Sequence, residues 1–345
     1  MKTISESSRP LVSVIIPVYN LEDYVGRAIE SLRAQTFGDF EAVIVDDGST
    51  DDSAEAISEA AGDDLRFVTV HKSNEGVSAA RRTGLERARG RYVCFLDGDD
   101  WWEPDFLERM TSAAAGGECD IVCCEGYIRV CAGYRTVVWS RQPAEQSGGC
   151  YAREMLCGRA TAALWDKLYD RRLFDDGLVF YDVKVAEDLL LNLQILCRRP
   201  KIRTIGYAGY NYLQRGGSAV HTLFTLDDCK MASACVDDVF ARNAGAAAEM
   251  EGERLSTMRG VWWYCRYVER SRNRWAGDDE FVRRLRVRAS ECRELLRREL
   301  TFGDRTMFGL DRWRICRPAV LTVSTFRRWR TSLSRRFAKS FRQSR

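Results

Sequence analysis

Short apolar runs alternate with amphipathic stretches along the first half of the chain. Val12-Ser13-Val14-Ile15-Ile16 reads as a buried strand stopped by Pro17, because it is brief, continuous and rich in branched residues. Leu21, Val25, Ala28, Ile29 and Leu32 then recur at helical spacing. The alternation continues with a strand at 40–45 and a helix through Ala54, Ile57 and Ala61, capped by Ser49 or Thr50. A strand at 65–70, a helix at 76–88 and a strand at 91–96 follow. Strands and helices taking turns predict an α/β fold built on a mainly parallel, doubly wound sheet.

Beyond residue 100 the pattern loosens. Ile121 to Cys124 reads as a strand, and Tyr127–Val130 with Tyr134–Trp139, joined through Cys131-Ala132-Gly133, as a hairpin. Glu187 to Cys197 is helical and Lys201 to Ile205 reads as a last strand. After about Asp227 there are amphipathic helical stretches near 227–242, 254–270 and 280–300. The predicted organisation is a tail at 1–10, an α/β domain at 11–225, a helical region at 226–311 and a second tail at 312–345. A boundary is expected somewhere in 220–250.

With 345 residues, of which 45% are hydrophobic, the chain can build a sizeable core. A net charge of +3 is too small to argue for nucleic acid, but it is unevenly spread. From Arg312 to Arg345 arginines interleave with Val320, Leu321, Phe326 and Trp329, and no Asp or Glu occurs. That segment reads as a solvated end or as a helix lying on an anionic membrane surface; a nucleic-acid contact has no supporting fold signal. The thirteen cysteines form no CxxC pair, and Cys94 and Cys197 sit inside apolar runs, which fits a reducing compartment. Without an apolar N-terminal stretch or a run of about eighteen apolar residues, the expected location is the cytoplasm. The basic tail would then be peripheral at the inner face of the plasma membrane.

The candidate chemistry lies where the strands end. Asp97-Gly98-Asp99-Asp100 follows the fourth strand. A strand interior cannot hold three unpartnered carboxylates, so they emerge at the edge where open α/β sheets bind ligands. One reading is a solvated acidic turn. The other is a site for Mg²⁺ or Mn²⁺, ions that take oxygen ligands and bridge to phosphates. Pro17-Val18-Tyr19-Asn20, Asp46-Asp47-Gly48-Ser49 and Lys72 to Gly76 end the other three strands at the same edge. An aromatic ring, acceptors, a helix N-terminus and carboxylates in one crevice suit a nucleoside diphosphate. No GxGxxG or Walker A motif is present, which leaves the phosphates to metal and arginine.

Ser13 to Asn20, Val45 to Asp51, Asn74 to Arg81 and Phe95 to Asp100 resemble the family 2 glycosyltransferases of the GT-A fold. The four motifs occur in order over roughly residues 11–110, the nucleotide-sugar half; residues 111–225 would be the acceptor half. The likeness continues more thinly through Leu164–Tyr169, Glu187-Asp188 and Tyr210–Arg215, and is not visible after about 230. It implies that Pro17 and Tyr19 flank the base of a UDP-sugar, with Asp47 on uracil and Asp46 orienting the turn. It also implies that Asn74 and Arg81 contact the nucleotide or its phosphates. Asp97 and Asp99 would form the DXD motif, Asp99 being favoured as the direct ligand of Mn²⁺ or Mg²⁺, and Asp100 would act through water or at the sugar.

Glu187-Asp188 opens a helix, where carboxylates also serve the helix dipole. By resemblance Asp188 is the general base of an inverting transfer. Trp165 and Trp101-Trp102 are candidates for stacking on sugar, with Trp102 assigned to the core; Lys167 would approach phosphate or acceptor, or be a surface lysine. Arg215, with Gly216-Gly217-Ser218 and His221 after it, resembles a loop closing over the diphosphate. The resemblance implies transfer to a glycan or lipid-linked glycan in cell-surface polysaccharide synthesis. A nucleotidyltransferase is disfavoured because no Gly- and Lys-rich loop follows the first strand. A non-catalytic scaffold is disfavoured because both carboxylate centres are intact.

Overall fold

The computed structural model describes residues 9–175, 177–215, 225–270 and 279–300. Among these, residues within Met1–His221 and Asp238–Met250 form one compact unit, and residues within Thr222–Asp237 and Glu251–Arg345 a second. The expected tail at 312–345, with Gly216-Gly217-Ser218 and His221, lies outside the described residues.

In the first unit, β1 (Val12–Val18), β2 (Phe40–Asp46), β3 (Phe67–His71) and β4 (Tyr92–Phe95) pair in parallel in the order β3-β2-β1-β4. β1 and β2 are buried along their whole length, which is why they read as continuous apolar runs. Helix α1 (Val25–Arg33) buries Val25, Ala28, Ile29 and Leu32 against one face, joined by Ile57 of α2 (Ser53–Ala61). Helix α3 (Val77–Arg87) covers the other face through Ala80, beside Val43 and Val45. Ser49 does not cap α2: the helix begins at Ser53 after Asp52, and the Ser49 hydroxyl accepts from the Asn20 N–H.

Gly84 lets α3 lie directly on β1. A Cβ there would stand 2.4 Å from Ile15 Cγ2. Gly84→Ala should therefore destabilise the unit by about 1 to 3 kcal/mol through overpacking, read as a lower urea midpoint at unchanged m-value.

The large sheet grows to eight strands, in the order β3-β2-β1-β4-β10-β6-β11-β9. Its added members are β6 (Ile121–Cys124), β9 (Glu145–Ser147), β10 (Lys167–Asp170) and β11 (Lys201–Ile205). β10 enters antiparallel between β4 and β6, and β9 lies antiparallel at the edge. A second sheet has the order β5-β12-β7-β8, from β5 (Trp101–Trp102), β7 (Gly126–Cys131), β8 (Tyr134–Trp139) and β12 (Tyr210–Leu213). The expected hairpin is β7–β8. Its two-residue turn, Ala132-Gly133, has positive φ at both positions (50° and 82°), the geometry that matches strand twist. Helices α4 (Phe106–Ala114), α5 (Gly148–Leu156) and α6 (Glu187–Cys197) flank the sheets.

The helical part runs through α7 (Leu226–Arg242), α8 (Ala244–Met250), α9 (Gly252–Arg270), α10 (Glu280–Glu291) and α11 (Arg293–Glu299). The helix expected over 280–300 is broken at Cys292, which leaves the helical region with φ −112° and ψ 28°. In the second unit Gly260 brings α9 close to α10, since a Cβ there would meet Leu285 Cδ1 at 3.0 Å. Asp237 accepts from Ser256 Oγ and Arg288 Nη1.

Candidate active site

The carboxyl ends of β1, β2 and β4 open on one cavity of about 820 Å³. Pro17 stands where β1 has outrun β4, whose pairing with β1 stops at Ile15–Phe95, so its missing N–H costs no ladder bond. Tyr19 follows, half exposed on the cavity wall. The Asn74 side chain also borders the cavity and has no hydrogen-bond partner among the described residues.

The β2 turn is held from within. Asp47 is buried and accepts from the backbone N–H groups of Glu75 (3.1 Å) and Gly76 (2.7 Å) and from Lys72 Nζ (2.8 Å). It thus holds the start of α3 against β2 while lining the cavity. Asp46 is buried behind that wall, accepting from the Ser49 N–H and pairing with His71 Nδ1, both at 3.0 Å. It shapes the turn and does not line the cavity, which corrects its grouping with the donor contacts.

After β4 the chain turns at Gly98, where a Cβ would stand 2.9 Å from Leu21 Cδ1 and 3.1 Å from the Pro17 carbonyl. The close approach leaves Asp97 and Asp99 on the cavity. Asp100 points the other way. It is buried, accepts from Tyr210 Oη (2.6 Å) and the Leu213 N–H (2.7 Å), and burial pushes its carboxyl well up. Asp100 is therefore a structural tie to β12 rather than a group at the sugar.

Arg81 joins the two acidic centres. Its guanidinium is buried, with Nη1 2.6 Å from Asp188 Oδ1 and 3.6 Å from Glu187 Oε1, and Nη2 3.1 Å from Asp97 Oδ1. This guanidinium is thus committed to three carboxylates while it borders the cavity. Asp188 stands in the first turn of α6, after Ala186 in the left-handed region at φ 72°, and also accepts from the Leu164 N–H at 3.3 Å. Burial pushes the Asp188 and Asp97 carboxyls each up to about 6, while Arg81 opposes the rise.

Arg215, which follows β12, pairs with Asp99 through Nε at 2.8 Å and lies over the Tyr24 ring at 4.8 Å. Trp165 lines the cavity, stacked on Tyr210 with centroids 4.0 Å apart. Trp102 is buried and stacks on Phe106, as expected of a core ring. Lys167 is neither on the surface nor on the cavity. It is buried, paired with Asp166 at 2.6 Å and bonded to the Ala163 carbonyl at 2.7 Å.

Among the described residues, no three His, Cys, Asp or Glu groups gather tightly enough to hold an ion alone. The donor set nevertheless fits Mn²⁺ or Mg²⁺. Asp97 and Asp99 each carry one oxygen on an arginine and another without such a partner, and both border a cavity roomy enough for diphosphate oxygens and waters to complete the shell.

The family model described as Glycosyl transferase family 2 matches residues 13–163. A cholesterol galactosyltransferase of Borreliella burgdorferi is 30% identical, over 67% of this chain and 68% of its own. The chain belongs to glycosyl transferase family 2. EpsJ of Bacillus subtilis, named an uncharacterised glycosyltransferase, is 32% identical over 61% of this family 2 chain and 62% of its own. The chain spans less than two thirds of several curated relatives it matches, down to 16%. The crystal structure of S. aureus TarS 1–349 in complex with UDP-GlcNAc overlays with a TM-score of 0.59 at 21% identity, covering 83% of this chain and 89% of that one. The fold is thus the GT-A fold.

Proposed function

We propose that this family 2 chain is an inverting, metal-dependent glycosyltransferase. It moves a sugar from a UDP-sugar to a hydroxyl of a glycan or lipid-linked glycan, in cell-surface polysaccharide synthesis. The observation that carries the reading is the single buried guanidinium of Arg81, which holds the diphosphate-side Asp97 and the base candidate Asp188 beside one cavity. The UDP-GlcNAc complex of TarS and the glycosyltransferase names of the relatives support the donor and reaction class.

Asp188 accepts the proton of the acceptor hydroxyl. The hydroxyl oxygen forms a bond to the anomeric carbon as the bond from that carbon to the diphosphate oxygen breaks, and configuration inverts. Tyr19, Asn74 and Asp47 border the base end, and Arg215 turns toward the departing diphosphate. Mn²⁺ or Mg²⁺, held by Asp99 and Asp97, would neutralise the charge of the UDP leaving group. Asp99→Asn should weaken Mn²⁺-dependent UDP binding by at least about tenfold in calorimetry, the low end of what losing even a supporting partner costs. Unchanged Mn²⁺-dependent affinity would remove the metal assignment.

Among the described residues no helix is long and apolar enough to cross a membrane. Peripheral attachment through 312–345 belongs to the same proposal and rests on the basic and apolar interleaving of that segment. Vesicles containing anionic lipid should retain the full chain and release one ending at 311.

A further inference from the structure

Residues 161–163 have no regular secondary structure, yet they stand directly before the Leu164 N–H that donates to Asp188. Backbone carbonyls outside a ladder need other donors. Here side chains supply them. Asn192 Nδ2 donates to the Ala162 carbonyl (2.8 Å) and the Ala163 carbonyl (3.2 Å). Lys167 Nζ donates to the same Ala163 carbonyl at 2.7 Å. Asn192 and Lys167 are 1% and 2% exposed, which shelters these bonds from water.

The Asn192 amide is itself oriented. Tyr169 Oη donates to Asn192 Oδ1 at 2.7 Å, which leaves the amide NH₂ for the carbonyls. Tyr169 and Lys167 belong to β10 and Asn192 to α6, so a strand and a helix grip one stretch of loop. Asp188 and Asn192 are four residues apart on α6 and share a face. One accepts from the Leu164 N–H, and the other donates to the two carbonyls before it. The helix thus meets the loop backbone at successive points with matching polarity.

This grip reaches the chemistry through the two oxygens of Asp188. Oδ1 lies 2.6 Å from Arg81 Nη1, and Oδ2 accepts the Leu164 N–H at 3.3 Å. Donors on both oxygens limit rotation of the carboxylate, and each oxygen keeps a second lone pair for a hydroxyl. A displacement of about 1 Å at a reacting group can cost about 10²-fold in rate. Asn192, Tyr169 and Lys167 do not line the cavity, so they act on the reaction only through the loop.

We propose that Asn192, oriented by Tyr169 and assisted by Lys167, is a positioning residue for the base: it pins the Ala162 and Ala163 carbonyls so that the Leu164 N–H holds Asp188 Oδ2 in place. This inference rests on the reading of Asp188 as the base of glycosyl transfer.

The test compares the wild-type full chain with Asn192→Ala and with Tyr169→Phe, which keeps the ring and removes only the hydroxyl. Turnover is read as UDP release from UDP-glucose, UDP-galactose and UDP-N-acetylglucosamine with water as the acceptor. UDP affinity in Mn²⁺ is measured by calorimetry, and hydrogen exchange of the Leu164 amide by NMR of leucine-labelled protein. Asn192→Ala should lower kcat by about tenfold or more, with UDP affinity unchanged within about twofold. It should also speed Leu164 exchange by about tenfold while other leucine amides keep their rates. Tyr169→Phe should move kcat and Leu164 exchange the same way by a smaller factor. Unchanged Leu164 exchange in both variants, undiminished kcat in both, or UDP affinity falling together with kcat in both overturns the proposal. No UDP release by the wild type from any of the three donors overturns the transfer reading instead, and Leu164 exchange still tests the grip on the loop, so the two fail distinguishably.

Discussion

Asp188→Asn is expected to lower the rate of sugar transfer by about 10³-fold while UDP and Mn²⁺ still bind. The amide keeps the shape of the carboxylate and can still accept from the Leu164 N–H, but it cannot take a proton from a hydroxyl. The wild-type rate should fall with acid for the same reason. Burial raises the Asp188 carboxyl to about 6, so the base is lost by protonation as the pH drops through that value. The acid limb of the transfer rate should accordingly approach about tenfold per pH unit, the slope of a single essential base. Near wild-type transfer by Asp188→Asn would place the base elsewhere.

Arg81→Met is expected to destabilise the protein by on the order of 3 kcal/mol and to abolish transfer. Removing the guanidinium leaves Asp97, Glu187 and Asp188 facing one another without their shared cation. Their partial exposure, 27%, 25% and 19%, keeps the cost at the lower end for a broken buried pair. A thermal midpoint about 6 °C lower would report it. Arg81→Lys should recover part of the stability, because one ammonium reaches fewer carboxylates than a planar fork.

The pH response has a definite sign. Folded Asp97 and Asp188 hold their protons more tightly than the unfolded chain, which releases them near about 3.9. The stability they add is full below that value and is lost as the pH rises through about 6. Metal-free wild-type protein should therefore melt higher at pH 5 than at pH 7, and Arg81→Met should show a larger difference.

β1, β2 and β4 were legible because each is a continuous buried run, β3 because its residues are aromatic or β-branched although none is fully buried, and the helices between them because one face repeats every three or four residues. β10 was not. Its four residues include Lys167 and Asp170, so no apolar period marks it; Lys167 is buried only because Asp166 and carbonyl oxygens accept from it. Local motifs likewise assigned Asp99, Asp188 and Arg81 to the cavity but gave no sign of the ion pairs of Arg81. Its partners lie 16 and 107 residues away, and no motif window spans that distance.

The tie between Asp100 and β12 also sets an order of events during synthesis. Asp100 finds its partners Tyr210 and Leu213 across 110 and 113 residues. Ends so far apart in the chain meet late, after local strands and helices have formed. A nascent chain that has emerged through β4 already has the strands of the parallel sheet, but its acidic turn has nothing to close on. The acidic turn therefore stays unclosed until Tyr210 and Leu213 emerge, and a ribosome stalled upstream of them holds a parallel sheet whose acidic turn has no tie.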